Sequence, residues 1–292
     1  MLMLKKTIAA LSLLSILAAC QNDENPSQPE PKPRQDINLT RAEQEFMDKG
    51  TDFAFRFFDQ VCSTEKEKPN VFVSPLSASL CLSMITNGAT DNTLAEMQDV
   101  LGFPANTFSL DDLNNYNQKL TSALLDLDNT TQLGIANSIW IEEGFKVYDS
   151  FVDVNKKMYD AQVQELDFTS PTAKDVINQW CATQTNNCIK EVIQEIPADV
   201  RMYLINALYF KGIWKSQFDK SATGHDNFTN VDGSQQKVAM MNQTATFNYT
   251  QTDDFSIAEL PYGNEAFSMV ILLPSGDKTL NESLPSLNYE NW

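Results

Sequence analysis

Between Tyr203 and Phe210 the chain runs apolar and breaks the run once, at Asn206. Short apolar runs rich in aromatic and branched side chains have strand character. An amide inside a buried strand is costly unless its side chain is hydrogen-bonded. Asn206 therefore sits either on an exposed face or in a fixed polar cluster. The run ends at Lys211-Gly212, and two large aromatics, Trp214 and Phe218, follow just past the glycine turn.

A second stretch, residues 70–89, reads as a short strand over Val71–Val73 followed by a helix. Ser74 is a good N-cap, and Pro75 occupies the first helical position, where its missing N–H costs nothing. Leu76, Leu80 and Met84, with Cys81 and Ile85, repeat at helical spacing, with Ala and Ser between them. A helix apolar nearly all round belongs in the interior. Gly88 is in position to act as its C-terminal cap.

Elsewhere, Arg41–Val61 has an amphipathic stripe through Phe46, Ala54, Phe57, Phe58 and Val61. Thr93 and Glu96 have capping-box spacing for a short helix closing at Gly102. Ser109 and Asp112 open another, with Leu113, Tyr116, Leu120 and Leu124 on its inner face. Strand-like runs lie at 135–141, 203–210, 255–260 and 267–273. Helices come first and strands mostly later, without βαβ alternation, which indicates an α+β fold.

Asn206-Ala-Leu-Tyr-Phe-Lys-Gly-Ile-Trp214 closely resembles the third strand of the main sheet in serpins, the serine-protease-inhibitor fold. Asn70 to Ala89 is similar to the serpin B helix behind that sheet. Ala136–Ile141 resembles a further serpin strand, Phe151 to Phe168 the helix lying across the sheet with its exit strand, and Ile177–Trp180 with Thr185–Ile193 the segment before the Asn206 strand. Met240-Met241, Leu260-Pro261-Tyr262 and Ser268–Pro274 resemble the second sheet. The resemblance covers about residues 41–292.

It implies helices packed around a large main sheet, and suicide inhibition of serine or cysteine endopeptidases by insertion of a cleaved loop into that sheet. It implies a shutter formed by Asn70, Ser74, Ser77 and Asn206, where the sheet parts. Trp214 matches the breach, where insertion begins. Read without the resemblance, Ser74 is a helix cap, Ser77 fills a small space and Trp214 packs in the core. The reactive-centre loop and closing strands are expected beyond Trp292, so this stretch by itself is expected to be inactive. The alternative is a non-inhibitory surface lipoprotein of the same fold that binds a host protein or a glycan.

No constellation for an enzyme is present. The one histidine, His225, lies in a polar segment, and there is no Gly-x-Ser-x-Gly elbow or Gly-rich phosphate loop. No cofactor or metal site is expected. The net charge of −18 on 292 residues argues against nucleic acid and anionic membranes as partners. Helix 109–126 carries Lys119 among acidic residues, so activation by heparin is not expected. The protein is expected to be a monomer. Cys62, Cys81, Cys181 and Cys188 permit three full pairings; the 181–188 spacing permits a bridge, and four free thiols are equally admissible.

The N-terminal stretch has a charged start at Lys5-Lys6 and an apolar segment too short to span a bilayer. It ends Leu17-Ala18-Ala19-Cys20, which resembles a bacterial lipobox in which the cysteine is lipidated. Gln21 to Gln35 is polar and proline-rich and reads as an extended tether. Gln-Asn-Asp-Glu after Cys20 resembles the export signal of some bacterial surface lipoproteins. The expected organisation is a signal peptide over 1–19, a lipidated Cys20 with its tether over 20–40, and a domain over 41–292. Its expected location is the outer membrane or cell surface.

Overall fold

Three helix starts follow directly from local caps. In the computed structural model, which describes residues 30–65, 68, 70–104, 107–230 and 232–292, α1 spans Arg41–Thr64 behind a Thr40–Glu43 capping box. Helix α2, Pro75–Thr86, starts at Ser74, whose hydroxyl accepts from Ser77 N–H. Helix α4, Leu110–Asp126, opens on a Ser109–Asp112 box. Helix α3 runs over Asp91–Val100. Glu43 also pairs with Lys119 of α4, and the Lys119 ammonium first, then the Thr40 N–H, hold its carboxyl down at about 2. Phe46 and Phe53 of α1 pack with Leu101, Phe103, Phe108, Leu113 and Tyr116 in one apolar cluster.

The main sheet has the order β2-β1-β3, from β1 (Gln132–Glu142), β2 (Gln162–Leu166) and β3 (Met202–Lys211). β1 runs parallel to β2 and antiparallel to β3, with Asn137 opposite Asn206 and Gln132 opposite Lys211. Side chains alternate between the faces of a strand. Ile139, Ile141, Met202 and Leu204 therefore meet Leu80 and Met84 of α2 and Phe151 and Tyr159 of α5, Asp149–Tyr159. Trp140, Tyr203, Ile205 and Ala207 point the other way, onto Ile177, Trp180 and Cys181 of α6, Ala173–Gln184. The rings of Trp140 and Trp180 meet edge to face at 6.4 Å.

A β4–β5 hairpin (Gly224–Thr229, Gln235–Met240) and a sheet of β6 (Asn248–Gln251), β7 (Phe255–Pro261) and β8 (Ser268–Pro274) follow. The short α7 covers Leu280–Ser283. Among the described residues no helix is long and apolar enough to cross a membrane. The signal-like segment 1–19, Cys20 and residues 21–29 lie outside the described residues.

Several local expectations are corrected. Val71–Val73 is not a strand: no strand pairs with it among the described residues, and Phe72 is fully exposed. Gly88 does not cap α2 with a left-handed turn, because Asn87 ends the helix in αR and Gly88 has no positive φ. Its lack of a side chain is required by packing, since a Cβ there would come within 3.0 Å of the Phe151 ring. Helix α3 begins two residues before Thr93, so the Thr93–Glu96 box is not used at its start. Its end at Gly102 is as read: Gly102 has φ +78°, and the Gly102 and Phe103 N–H groups donate to Asp99 and Gln98 carbonyls in a Schellman closure. The helix lying across the main sheet on the face away from α2 is α6, whereas α5 packs on the α2 side.

Candidate functional site

On the α2 side of the main sheet, polar side chains are buried where apolar ones would be expected. Asn206 Nδ2 donates to Asn137 Oδ1 across the strand pair at 2.8 Å. Asn137 Nδ2 in turn donates to the carbonyl of Tyr159, the last residue of α5, at 2.8 Å. The Tyr159 hydroxyl donates to Asn114 Oδ1 at 2.6 Å and accepts from Asn117 Nδ2 at 3.3 Å, both on α4. Asn114 and Asn87 exchange amide bonds at 2.8 and 3.1 Å, which carries the chain to the end of α2. Burial pushes the Tyr159 phenol up to about 12, despite the opposing bonds from Asn117, Asn87 and Ser83. One continuous relay thus joins β3 through β1 and α5 to α4 and α2. It has one gap: the buried Asn206 Oδ1 has no hydrogen-bond partner.

The four residues assigned by resemblance to the shutter fall into separate groups. Ser74 and Ser77 are joined to each other, hydroxyl to hydroxyl, at 2.8 Å. Asn206 belongs to the relay with Asn137. Asn70 is exposed in the extended segment ahead of α2. From α2, Cys81 also reaches β3, with its Sγ 4.0 Å from the Leu204 carbonyl. Burial raises its thiol to about 11, against a smaller lowering by the backbone at Asn206.

All four described cysteines are free. Cys181 faces the sheet in the core while Cys188 is exposed beyond a turn in which Asn186 and Asn187 are both left-handed. This geometry sets an order of reactivity. With iodoacetamide at pH 8, Cys188 is expected to alkylate first. Cys81, with about one thiol in a thousand ionised, and Cys181 should label only on unfolding. Mass mapping over time checks the order, and early modification of Cys81 would contradict it.

The second cluster lies at the end of the main sheet where β3 finishes. Trp214 bridges Tyr262, and the two rings stack at 4.4 Å and 14°. Phe218 meets Trp214 edge on at 6.1 Å, and Phe210 packs against Tyr262 and Phe267. Gly212 is needed there because a Cβ would lie 2.6 Å from the Tyr262 ring. Next to Tyr262, Gly263 has φ +33° and abuts Asp128 and Thr130 in the loop before β1. Trp214 is half-buried, so this end of the sheet is a ring stack reachable from solvent.

Among the described residues β3 pairs with β1 on one side and with no strand on the other. Its Asn206 carries the unpartnered acceptor, and Trp214 marks one end. Sequence reasoning found Asn206 and Trp214 and missed Asn137, Tyr159, Asn114 and Tyr262. Asn137 bears the same signature as Asn206, a single amide in the apolar run Ala136–Ile141. His225 is exposed on β4 and lies outside both clusters.

Residues 48–292 match the family model described as Serpin (serine protease inhibitor). An uncharacterized serpin-like protein of Methanosarcina acetivorans is 35% identical over 231 residues, covering 77% of this chain and 54% of the relative. Human Serpin B3 is 30% identical over 263 residues, covering 83% and 67%. The crystal structure of the thermophilic serpin Tengpin in the latent state superposes with a TM-score of 0.77 at 31% identity, covering 88% of this chain and 67% of that one. The chain thus spans between about half and two thirds of the length of these relatives.

Proposed function

The chain belongs to the serpin family, and from that premise we propose that the protein inhibits serine or cysteine endopeptidases by adding a cleaved loop of its own to the main sheet at β3. The observation that carries this reading is the buried polar relay through Asn137 and Asn206 under the main sheet, with the unpartnered Asn206 Oδ1 on β3. A strand added there gains a ladder of backbone hydrogen bonds and can supply the missing donor. In this reading a protease attacks an exposed loop as substrate, and the loop is drawn into the sheet before the acyl-enzyme hydrolyses. The Asn206–Asn137 bond and the Ser74–Ser77 pair act as the shutter, since such bonds re-form in more than one arrangement. The half-buried Trp214 stack is the breach where entry begins.

The family's relation to proteases is that of inhibitor rather than enzyme. The Leu-Ala-Ala-Cys20 end of the signal-like segment supports export and a lipid anchor, placing the domain at the outer membrane or cell surface. Two experiments test these claims. The native gene product, incubated with trypsin-, elastase-, subtilisin- and papain-like proteases, is expected to form a 1:1 adduct that survives denaturing electrophoresis. Complete cleavage without an adduct by every protease would leave the non-inhibitory binder. In cell fractionation, wild type should follow the membranes while Cys20→Ala is released; equal solubility of the two would remove the anchor.

A further inference from the structure

Residues 30–40 have the composition of a free tether, yet they lie docked along the body. The Asn129 side-chain amide bonds the backbone of this segment twice, accepting from Lys32 N–H at 2.8 Å and donating to the Glu30 carbonyl at 2.9 Å. Lys32 Nζ donates to the Asp126 carbonyl at 2.8 Å and pairs with its carboxylate. This places a cation on the C-terminal end of α4, where the helix dipole favours it. Arg34 lies close enough to β7 to add a small lowering to Glu259, whose carboxyl is held down first by the Asn248 amide. Leu39 packs on the Phe46 cluster. The loop that receives the segment is itself fixed, since Leu127 accepts from Asn264 Nδ2 and the Asp128 carboxylate accepts from Thr130 and Thr131.

We propose that residues 30–39 are a clasp on the α4–β1 junction, and that the clasp turns the Trp214 end of the domain toward the membrane. The second half rests on the anchor reading above; the first does not. The junction and Trp214 share one end of the sheet, because Gln132 lies opposite Lys211 and Gly263 abuts Asp128 and Thr130. About ten residue steps separate Cys20 from Glu30, a reach of at most about 35 Å at 3.3–3.6 Å each. Counted to Arg41 the reach would be about 75 Å, more than the roughly 45–50 Å diameter of a domain of this size. A free tether would let any face approach the bilayer. The clasp keeps the junction end nearest the bilayer, since the far end of the sheet lies about 35 Å away along β1, Gln132–Glu142, which is the whole extended reach of the tether. A partner engaged at Trp214 then meets the protein close to the membrane surface.

The clasp is tested first in solution, on the chain with residues 1–20 removed. The Lys32 amide is expected to exchange with deuterium at least tenfold slower than an open amide, and Asn129→Ala with Lys32→Ala should abolish that protection while β1 amides stay protected. Free exchange at Lys32 in the parent overturns the proposal. Orientation is tested with a hexahistidine segment in place of residues 1–20, holding the protein on nickel-chelating vesicles independently of lipidation. In a Cys62→Ser/Cys188→Ser background, dyes at Lys211→Cys and at Glu143→Cys report energy transfer to lipid acceptors. Several-fold greater transfer from position 211, lost in the Asn129→Ala/Lys32→Ala protein, is the expected result. Equal transfer from both positions in the clasped protein overturns the orientation. Failure of the Cys20 fractionation experiment would remove the natural anchor and leave both of these readouts in force.

Discussion

Asn137→Ala is expected to destabilise the domain by about 2–5 kcal/mol, and Asn206→Ala by no more than about 1–2 kcal/mol, although the two amides bond each other. Asn137 is the middle of the relay. It accepts from Asn206 and donates to the Tyr159 carbonyl, so its loss strands a donor on one side and an acceptor on the other. Each buried orphan costs about 1–3 kcal/mol. Asn206 already carries one orphan, its own Oδ1. Removing it strands Asn137 Oδ1 but eliminates that existing deficit. The pair should also be strongly non-additive: once Asn137 is alanine, the further change Asn206→Ala should cost almost nothing. Urea denaturation of the two single variants and the double variant measures all three values. Equal single costs that simply add would mean that the relay is not a connected network.

The next largest effect is expected at Gly263. Its φ of +33° is a conformation that L side chains rarely adopt, and a Cβ would run into the Thr130 hydroxyl and the Asp128 carboxylate. Gly263→Ala should therefore combine about 1–2 kcal/mol of backbone strain with loss of charge-assisted bonds at Asp128. A total of about 3 kcal/mol or more is the expected outcome in thermal or urea melts. The same loop makes a prediction about acid. Burial by itself would raise the Asp128 carboxyl, but the Thr130 N–H and hydroxyl, the Thr131 hydroxyl and the Asn264 backbone outweigh it and hold the group below the usual range. A folded-state value below the unfolded one gives stability that is present above about pH 4 and is lost as the pH falls through the folded value. Asp128→Asn should be less stable at pH 7 and show a shallower loss below pH 4. A parallel acid profile in the two proteins would contradict this.

What could be read from the sequence was what is local. Ser74-Pro75 and Ser109–Asp112 announce α2 and α4 because an N-cap is satisfied within a few residues of itself. The run around Asn206 announces β3 because no other arrangement hides so many apolar side chains in so short a segment. What a face packs against was not legible, since that depends on which elements come to cover it. α6 carries its sheet-facing surface on Ile177, Trp180 and Cys181 among polar residues, and nothing local says that it lies across β1 and β3. Tyr159, Asn114 and Asn117 read as ordinary polar positions of helix surfaces, and become interior only when α4 and α5 close over the sheet. The β4–β5 hairpin was missed for the opposite reason: every residue of β4 is exposed, so no apolar alternation marks it. Asn137 was readable by the rule that found Asn206; the register that sets them opposite each other was not.

Inhibition of the proposed kind requires β3 to take up a further strand after cleavage. A strand as long as β3, Met202–Lys211, adds on the order of ten hydrogen bonds along one edge, at about 1 kcal/mol each before any side-chain burial. At roughly 2–4 °C per kcal/mol for a domain of this size, the melting temperature should rise by at least about 20 °C. The direct measurement is a calorimetric scan of the native gene product before and after a single protease cut, with the fragments kept together. A rise of that size, with the Asn206 side-chain amide gaining protection from exchange, is the predicted result. A cut protein that melts at or below the temperature of the intact one would contradict strand addition.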